Sequence, residues 1–272
     1  MVSGGLKALV KRTLALLILA ALVVQMRPGG WDAMAWLRSA LWPVEPGVLT
    51  VEMRPDLAGP VLKSYDYVPP KNRFPPHRFE IGGEVRQFYA LPARGAEGLP
   101  PLVILLHGAG RDGRAMLDMW ANIAAKGVFL VAPDASGAQW NTGTDGPDFL
   151  ADVLDEAAAI QPFDRNRVYL YGHSAGANMA LYLGNCTDFP VRAVAVHAGV
   201  LPDCPGTAAW RPQLIQIGDR DESFPLVAVE RAAQQISALG SPVTLRVIPG
   251  HDHWFYNIGP ALADEAWAFF AR

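Results

Sequence analysis

Near the middle of the chain stands Gly172-His173-Ser174-Ala175-Gly176, a serine held between glycines. A serine hydroxyl is a weak nucleophile until a neighbouring base takes its proton and a third group steadies the base. Two later clusters carry such groups. Gly218-Asp219-Arg220-Asp221-Glu222-Ser223-Phe224-Pro225 offers a carboxylate, from Asp219 or Asp221. Pro249-Gly250-His251-Asp252-His253-Trp254 offers an imidazole, from His251 or His253. Together these groups could run acyl transfer: the serine attacks a carbonyl, the histidine moves its proton, and the acid fixes the imidazole tautomer. Such an activity falls in acid, where the histidine is already protonated. His107, His173 and His197 read as hydrogen-bonded or buried structural residues. No His, Cys and acid cluster has metal spacing, and the chemistry calls for no cofactor.

These residues need elements to bring them together. Val168 to Tyr171 is β-branched and aromatic, the composition of a buried strand, and Ala175 to Leu183 reads as a helix. The turn between them is tight enough that glycine is needed on both sides of Ser174. Leu102 to Leu106, Val128 to Ala132, Val191 to Val196, Gln213 to Ile217 and Val243 to Ile248 are further apolar strands. Helices are predicted over Ala115 to Ala125, Phe149 to Ile160, Leu226 to Leu239 and Ala261 to Phe270. Arg78 to Ile81 and Val85 to Leu91 alternate around Gly82-Gly83 as a hairpin, and Val48 to Met53 could be one more strand. Short apolar strands alternating with helices predict a mainly parallel sheet covered on both faces, with the hairpin as its antiparallel edge. The serine, acid and histidine clusters each follow a strand, so all three fall at the carboxyl rim of that sheet.

From Leu102 onward the chain resembles α/β-hydrolases of the polyhydroxybutyrate-depolymerase and feruloyl-esterase type, through LLHGAG, GHSAG, GDRDESFP and GHDHW. The resemblance implies the α/β-hydrolase fold, with a mainly parallel eight-stranded sheet, helices on both faces and no large lid. It also implies that the acid closes a G-x-x-D before a hydrophobic-Pro pair, matching Gly218, Asp221 and Phe224-Pro225. The base sits in G-x-x-H-x, matching Gly250 and His253. The oxyanion donors are expected at the Ala175 N–H and in the loop after Leu102 to Leu106, at Ala109 or alternatively Gly108.

The resulting expectation is a serine esterase working through Ser174, His253 and Asp221. The segment Gly199 to Pro212 is too short for a helical lid, so an open pocket is expected, suited to an ester on a large or polymeric carrier. Trp140, Phe224, Trp210 and Trp254 are expected in loops at the catalytic rim, and Trp140-Asn141 and Trp254 are the candidate substrate contacts. A peptidase, a polysaccharide deacylase or an acyltransferase could use the same three groups. A non-catalytic, membrane-tethered binding protein is the reading from another class.

Composition bounds the rest. With 51% apolar and 18% charged residues, the chain is globular, and a net charge of −3 gives nucleic acid no footprint. Lys7, Lys11 and Arg12 precede an apolar run, Leu14 to Met26, with no acid before Asp32. That arrangement predicts an export signal or anchor over 1–27, leaving open cleavage near residue 35. Residues 28–47 read as a linker in which Trp31 to Trp42 could lie as an interfacial helix, and the catalytic domain spans 48–272. An extracytoplasmic domain permits one disulfide between Cys186 and Cys204, with two free thiols as the alternative.

Overall fold

The computed structural model describes residues 46–57, 66–70, 72–204 and 210–272. The expected signal or anchor over 1–27, and all but the end of the linker, lie outside the described residues. Among those described, no helix is long and apolar enough to cross a membrane.

Residues of β4 (Leu102–Leu106), β5 (Phe129–Pro133), β6 (Val168–His173), β7 (Ala193–His197) and β8 (Gln213–Gly218) are buried throughout. Burial on both faces is what their unbroken apolar composition requires. With β1 (Leu49–Met53), β2 (Pro76–Ile81), β3 (Glu84–Leu91) and β9 (Val243–Ile248) they form one sheet in the order β1-β9-β8-β7-β6-β4-β5-β3-β2. Pairing is parallel except at β3, which runs antiparallel to both β2 and β5. The sheet has nine strands where eight were expected. The additional one is β1, which pairs parallel to β9 and covers backbone groups that would otherwise stand unpaired at an edge. Val243 N–H donates to Val48 O at 2.9 Å just before that pairing begins.

Side chains along each central strand alternate between two cores. Leu102, Ile104 and Leu106 of β4 enter one, packed by α2 (Pro147–Ile160), α3 (Ala175–Cys186) and α4 (Leu226–Ala238). Val103 and Leu105 enter the other, packed by α1 (Gly113–Ala124) and α5 (Gly259–Phe270). Asp112 starts α1, its Oδ1 accepting the Ala115 N–H. On α5 the buried Glu265 pairs with Arg54 and with Arg246 of β9, the latter at 3.2 Å, and accepts from Gln216 Nε2 at 2.5 Å. That network ties α5 to the β1–β9–β8 side of the sheet.

The described residues of the 199–212 connection form no helix. Its outgoing half is joined to the end of α3 by a Cys186–Cys204 disulfide. A bond closing a separation of 18 residues is worth about 3 kcal/mol against the unfolded chain. Urea unfolding with and without reductant should therefore show a loss of about that size, and the Cys186→Ser, Cys204→Ser double variant should lose the same amount and show no further response to reductant.

Candidate active site

Ser174 ends β6 and begins α3 with φ 57° and ψ −120°, a backbone state that side-chain-bearing residues rarely adopt. The glycines around it are there for space. A Cβ on Gly172 would lie 2.1 Å from Gly176 O, and one on Gly176 would lie 2.2 Å from Leu106 O. Strand, turn and helix are thus in backbone contact, and the Ser174 side chain projects at the carboxyl rim. The Ala175 N–H is among the first of α3, a group that a helix leaves without an intrahelical partner.

The imidazole of His253 stands against that hydroxyl, with Nε2 3.0 Å from Ser174 Oγ. Its Nδ1 lies 2.8 Å from Asp221 Oδ2. A carboxylate only accepts, so Nδ1 carries the proton and Nε2 of the neutral ring is left to accept from the serine. Asp221 has a fully buried side chain, and its Oδ1 accepts from the N–H groups of Ser223 and Phe224 at 2.9 and 2.7 Å. The Phe224 ring stacks beside His253, with centroids 5.6 Å apart.

The rival residues lie elsewhere. Asp219 is exposed and accepts from Gly250 N–H at 2.6 Å, bracing the histidine loop. His251 turns inward, its Nε2 3.0 Å from His197 Nε2, while His197 Nδ1 meets His173 Nδ1 at 3.0 Å. Three imidazoles therefore run as a buried hydrogen-bonded row beneath the site. Burial holds His173 and His197 well below the ordinary histidine value of 6.5 and lowers His251 as well. All three stay neutral, so His197 donates through one nitrogen and accepts through the other.

The loop after β4 packs over Ser174. A Cβ on Gly108 would come within 3.1 Å of His173 Cδ2 and 3.4 Å of Ser174 Cβ. His107 Nδ1–H donates to Gly108 O at 2.9 Å, and its Nε2 accepts from Ala135 N–H at 3.1 Å. Ala109 is exposed, and Gly110 N–H is held by Ala138 O at 2.8 Å. The indole of Trp140 donates to His107 O at 2.8 Å, so this tryptophan supports the loop as well as walling a hollow of about 130 Å³. That hollow lies beside Ala175 and is also lined by Asn178, Met179 and Tyr182, which sequence reasoning did not single out. Their spacing from Ala175 along one helix face was the available signal.

The remaining candidates for substrate contact divide. Asn141 is exposed, and its Oδ1 accepts from Gly143 and Thr144 N–H in a turn. Trp254 packs against Tyr256 and faces Arg111, whose guanidinium carbon is 5.3 Å from its ring. Trp210, expected at this rim, precedes β8 and is 69% exposed. Its neighbour Arg211 reaches Ser241, ahead of β9. In a parallel sheet the β7–β8 connection must return to the amino rim, and residue 210 lies at the end of that return. Asp145 was not anticipated either. Fully buried, it pairs with Arg86 at 2.7 Å and accepts from Ser136 and Asn141 N–H, which holds the loop carrying Trp140.

Among the described residues no group of three or more His, Cys, Asp or Glu converges as a metal site would. The arrangement is a hydroxyl, an imidazole and a carboxylate joined in sequence by hydrogen bonds.

The sequence profile of the alpha/beta hydrolase family matches residues 103–272. No curated protein matches the sequence. Similar solved structures include esterase PE8, 26% identical with a TM-score of 0.52 over 67% of this chain and 96% of that one. A poly(3-hydroxybutyrate) depolymerase, LpqC of Bordetella parapertussis, is 21% identical with a TM-score of 0.55 over 73% and 91% of the two chains. The acylaminoacyl peptidase of Pyrococcus horikoshii is 16% identical with a TM-score of 0.59 over 73% of this chain, which spans only 41% of that one.

The buried imidazoles set a pH dependence of stability. Each has a folded-state pKa below its unfolded value of 6.5, so the unfolded chain binds more protons below that pH. Their contribution is complete above about pH 6.5 and is lost as pH falls towards the folded-state values. Urea midpoints measured between pH 8 and 5 should hold steady and then drop below about 6.5, and the His197→Phe variant should show a shallower drop.

Proposed function

The chain belongs to the alpha/beta hydrolase family, and from that premise we propose that it is an exported serine esterase acting through Ser174, His253 and Asp221. One observation carries this reading: the unbroken hydrogen-bond sequence from Asp221 through both nitrogens of His253 to the Ser174 hydroxyl. In the proposed reaction His253 Nε2 takes the hydroxyl proton as Ser174 Oγ attacks the ester carbonyl. The Ala175 N–H and a backbone N–H of Ala109 or Gly108 stabilise the developing oxyanion. His253 then gives its proton to the leaving alcohol, while Asp221 stabilises the imidazolium. Water resolves the acyl-enzyme by the same proton path, returning Ser174 and releasing the acid.

The small hollow beside Ala175 suits a short acyl or alcohol group, and a rim without a helical lid among the described residues suits a carrier that extends into solvent. Export is supported by the basic and apolar N-terminus and by the Cys186–Cys204 bond, which an oxidising compartment preserves.

With p-nitrophenyl acetate, Ser174→Ala and His253→Ala should each lower kcat/KM at least about a thousandfold, and Asp221→Asn by a comparable factor. A fluorophosphonate probe should label the wild type and leave Ser174→Ala unlabelled. Hydrolysis by Ser174→Ala at the wild-type rate would refute the reading.

A further inference from the structure

A second cavity, of about 470 Å³, lies at the opposite rim of the sheet, where the parallel strands begin. Pro101 before β4, Arg167 before β6, Arg192 before β7, Tyr169 of β6, and Trp267 and Phe270 at the end of α5 bound it. Nothing in the proposed reaction uses it, because Ser174, Asp221 and His253 all follow strands at the other rim.

Its chemistry is uneven. Lys126, Arg167, Arg192 and Arg272 line it, against Glu97 as the acidic side chain. Two of these cations are already engaged. Lys126 pairs with Asp264 at 2.7 Å, and Arg167 with Asp164 at 2.7 Å and Leu99 O at 2.6 Å. Arg192 makes no ion pair among the described residues.

Tyr169 is the second, independent observation. It is only 4% exposed, its ring is stacked on Phe270 at 4.7 Å and set edge-on to Trp267 at 6.2 Å. Its hydroxyl is not among the buried polar atoms left without a partner, so the oxygen opens on the cavity while the ring is packed. The Tyr169 hydroxyl makes no hydrogen bond among the described residues, and the side chain borders the cavity. Burial pushes its pKa up, while the charges of Arg192 and then Arg167 pull it down, which sets both guanidinium groups within electrostatic reach of the phenol. A neutral donor and an uncommitted guanidinium suit a monoanion with two acceptor oxygens, and the aromatic walls suit a flat apolar body.

We propose that this cavity is a binding site for a small aromatic carboxylate, with its ring against Trp267 and Phe270 and its carboxylate held by the Tyr169 hydroxyl and Arg192. Calorimetric titration of the full chain with phenylacetate tests it without any turnover. Saturable binding is expected, weakened about tenfold or more by Arg192→Gln and roughly threefold to tenfold by Tyr169→Phe. Phenylacetamide, the same shape without charge, should bind at least about tenfold more weakly. Arg192 is exposed, and Phe keeps the ring stack, so both variants should fold and hydrolyse p-nitrophenyl acetate as the wild type does. No saturable heat at millimolar phenylacetate, equal binding of the amide, or binding unchanged in both variants would each overturn the proposal.

Discussion

Backbone contact on both sides of Ser174 leaves no volume for a side chain at Gly172 or Gly176, and the positive φ at the serine survives because of that closeness. A residue in such a state costs on the order of 1–3 kcal/mol and persists only where its surroundings over-determine it. Here they do. β6 lies between β4 and β7 in the middle of the sheet, every residue of it is buried, and Ser174 N–H is held by His197 O at 3.0 Å. Displacing Ser174 would mean opening the centre of the sheet. The position of Ser174 is therefore as rigid as the core beneath it.

The other two groups of the site sit on loops, and loops need fastening. The acid loop and the histidine loop are joined by Arg220 N–H to His251 O at 3.0 Å and by Asp219 to Gly250 N–H. The row of neutral imidazoles then ties the histidine loop to the ends of β7 and β6. His251 and His253 are two residues apart yet point in different directions, so the loop is not extended between them. One ring anchors the loop from below, which frees the other to meet Ser174 and Asp221. Imidazole suits this row because a neutral ring both donates and accepts along a line.

Aromatic side chains at the carboxyl rim support the loop after β4 and the imidazole rings. Trp140 holds the His107 carbonyl, Phe224 lies along His253, and Phe255 stacks on His173 at 4.8 Å. The amino rim differs. There Tyr169 and its aromatic neighbours border open volume, and the positive charge of the strand starts gathers around it. Parallel packing produces this division, since every connection carries the chain from one rim to the other.

Much of the protein was legible in its residues. The apolar runs located the central strands, and the glycines around Ser174 marked the elbow. The acid and histidine clusters after the strands starting at Gln213 and Val243 fell at the expected rim. Those features are local: burial on two faces requires an unbroken apolar run, and a tight turn requires glycine. Less legible was everything that depends on contacts between distant segments. Asp219 beside Asp221 and His251 beside His253 carry the same chemistry, and only the match to the G-x-x-D and G-x-x-H patterns put Asp221 and His253 ahead. The choice between the histidines turns on a contact with His197, 54 residues away. The pairing of β1 with β9, the return of Trp210 to the amino rim and the burial of Asp145 under Arg86 likewise depend on packing. Residue types thus determined which chemistry the chain can carry, and tertiary packing decided which of the competing side chains meet, because the difference lies in what fills the space beneath each loop.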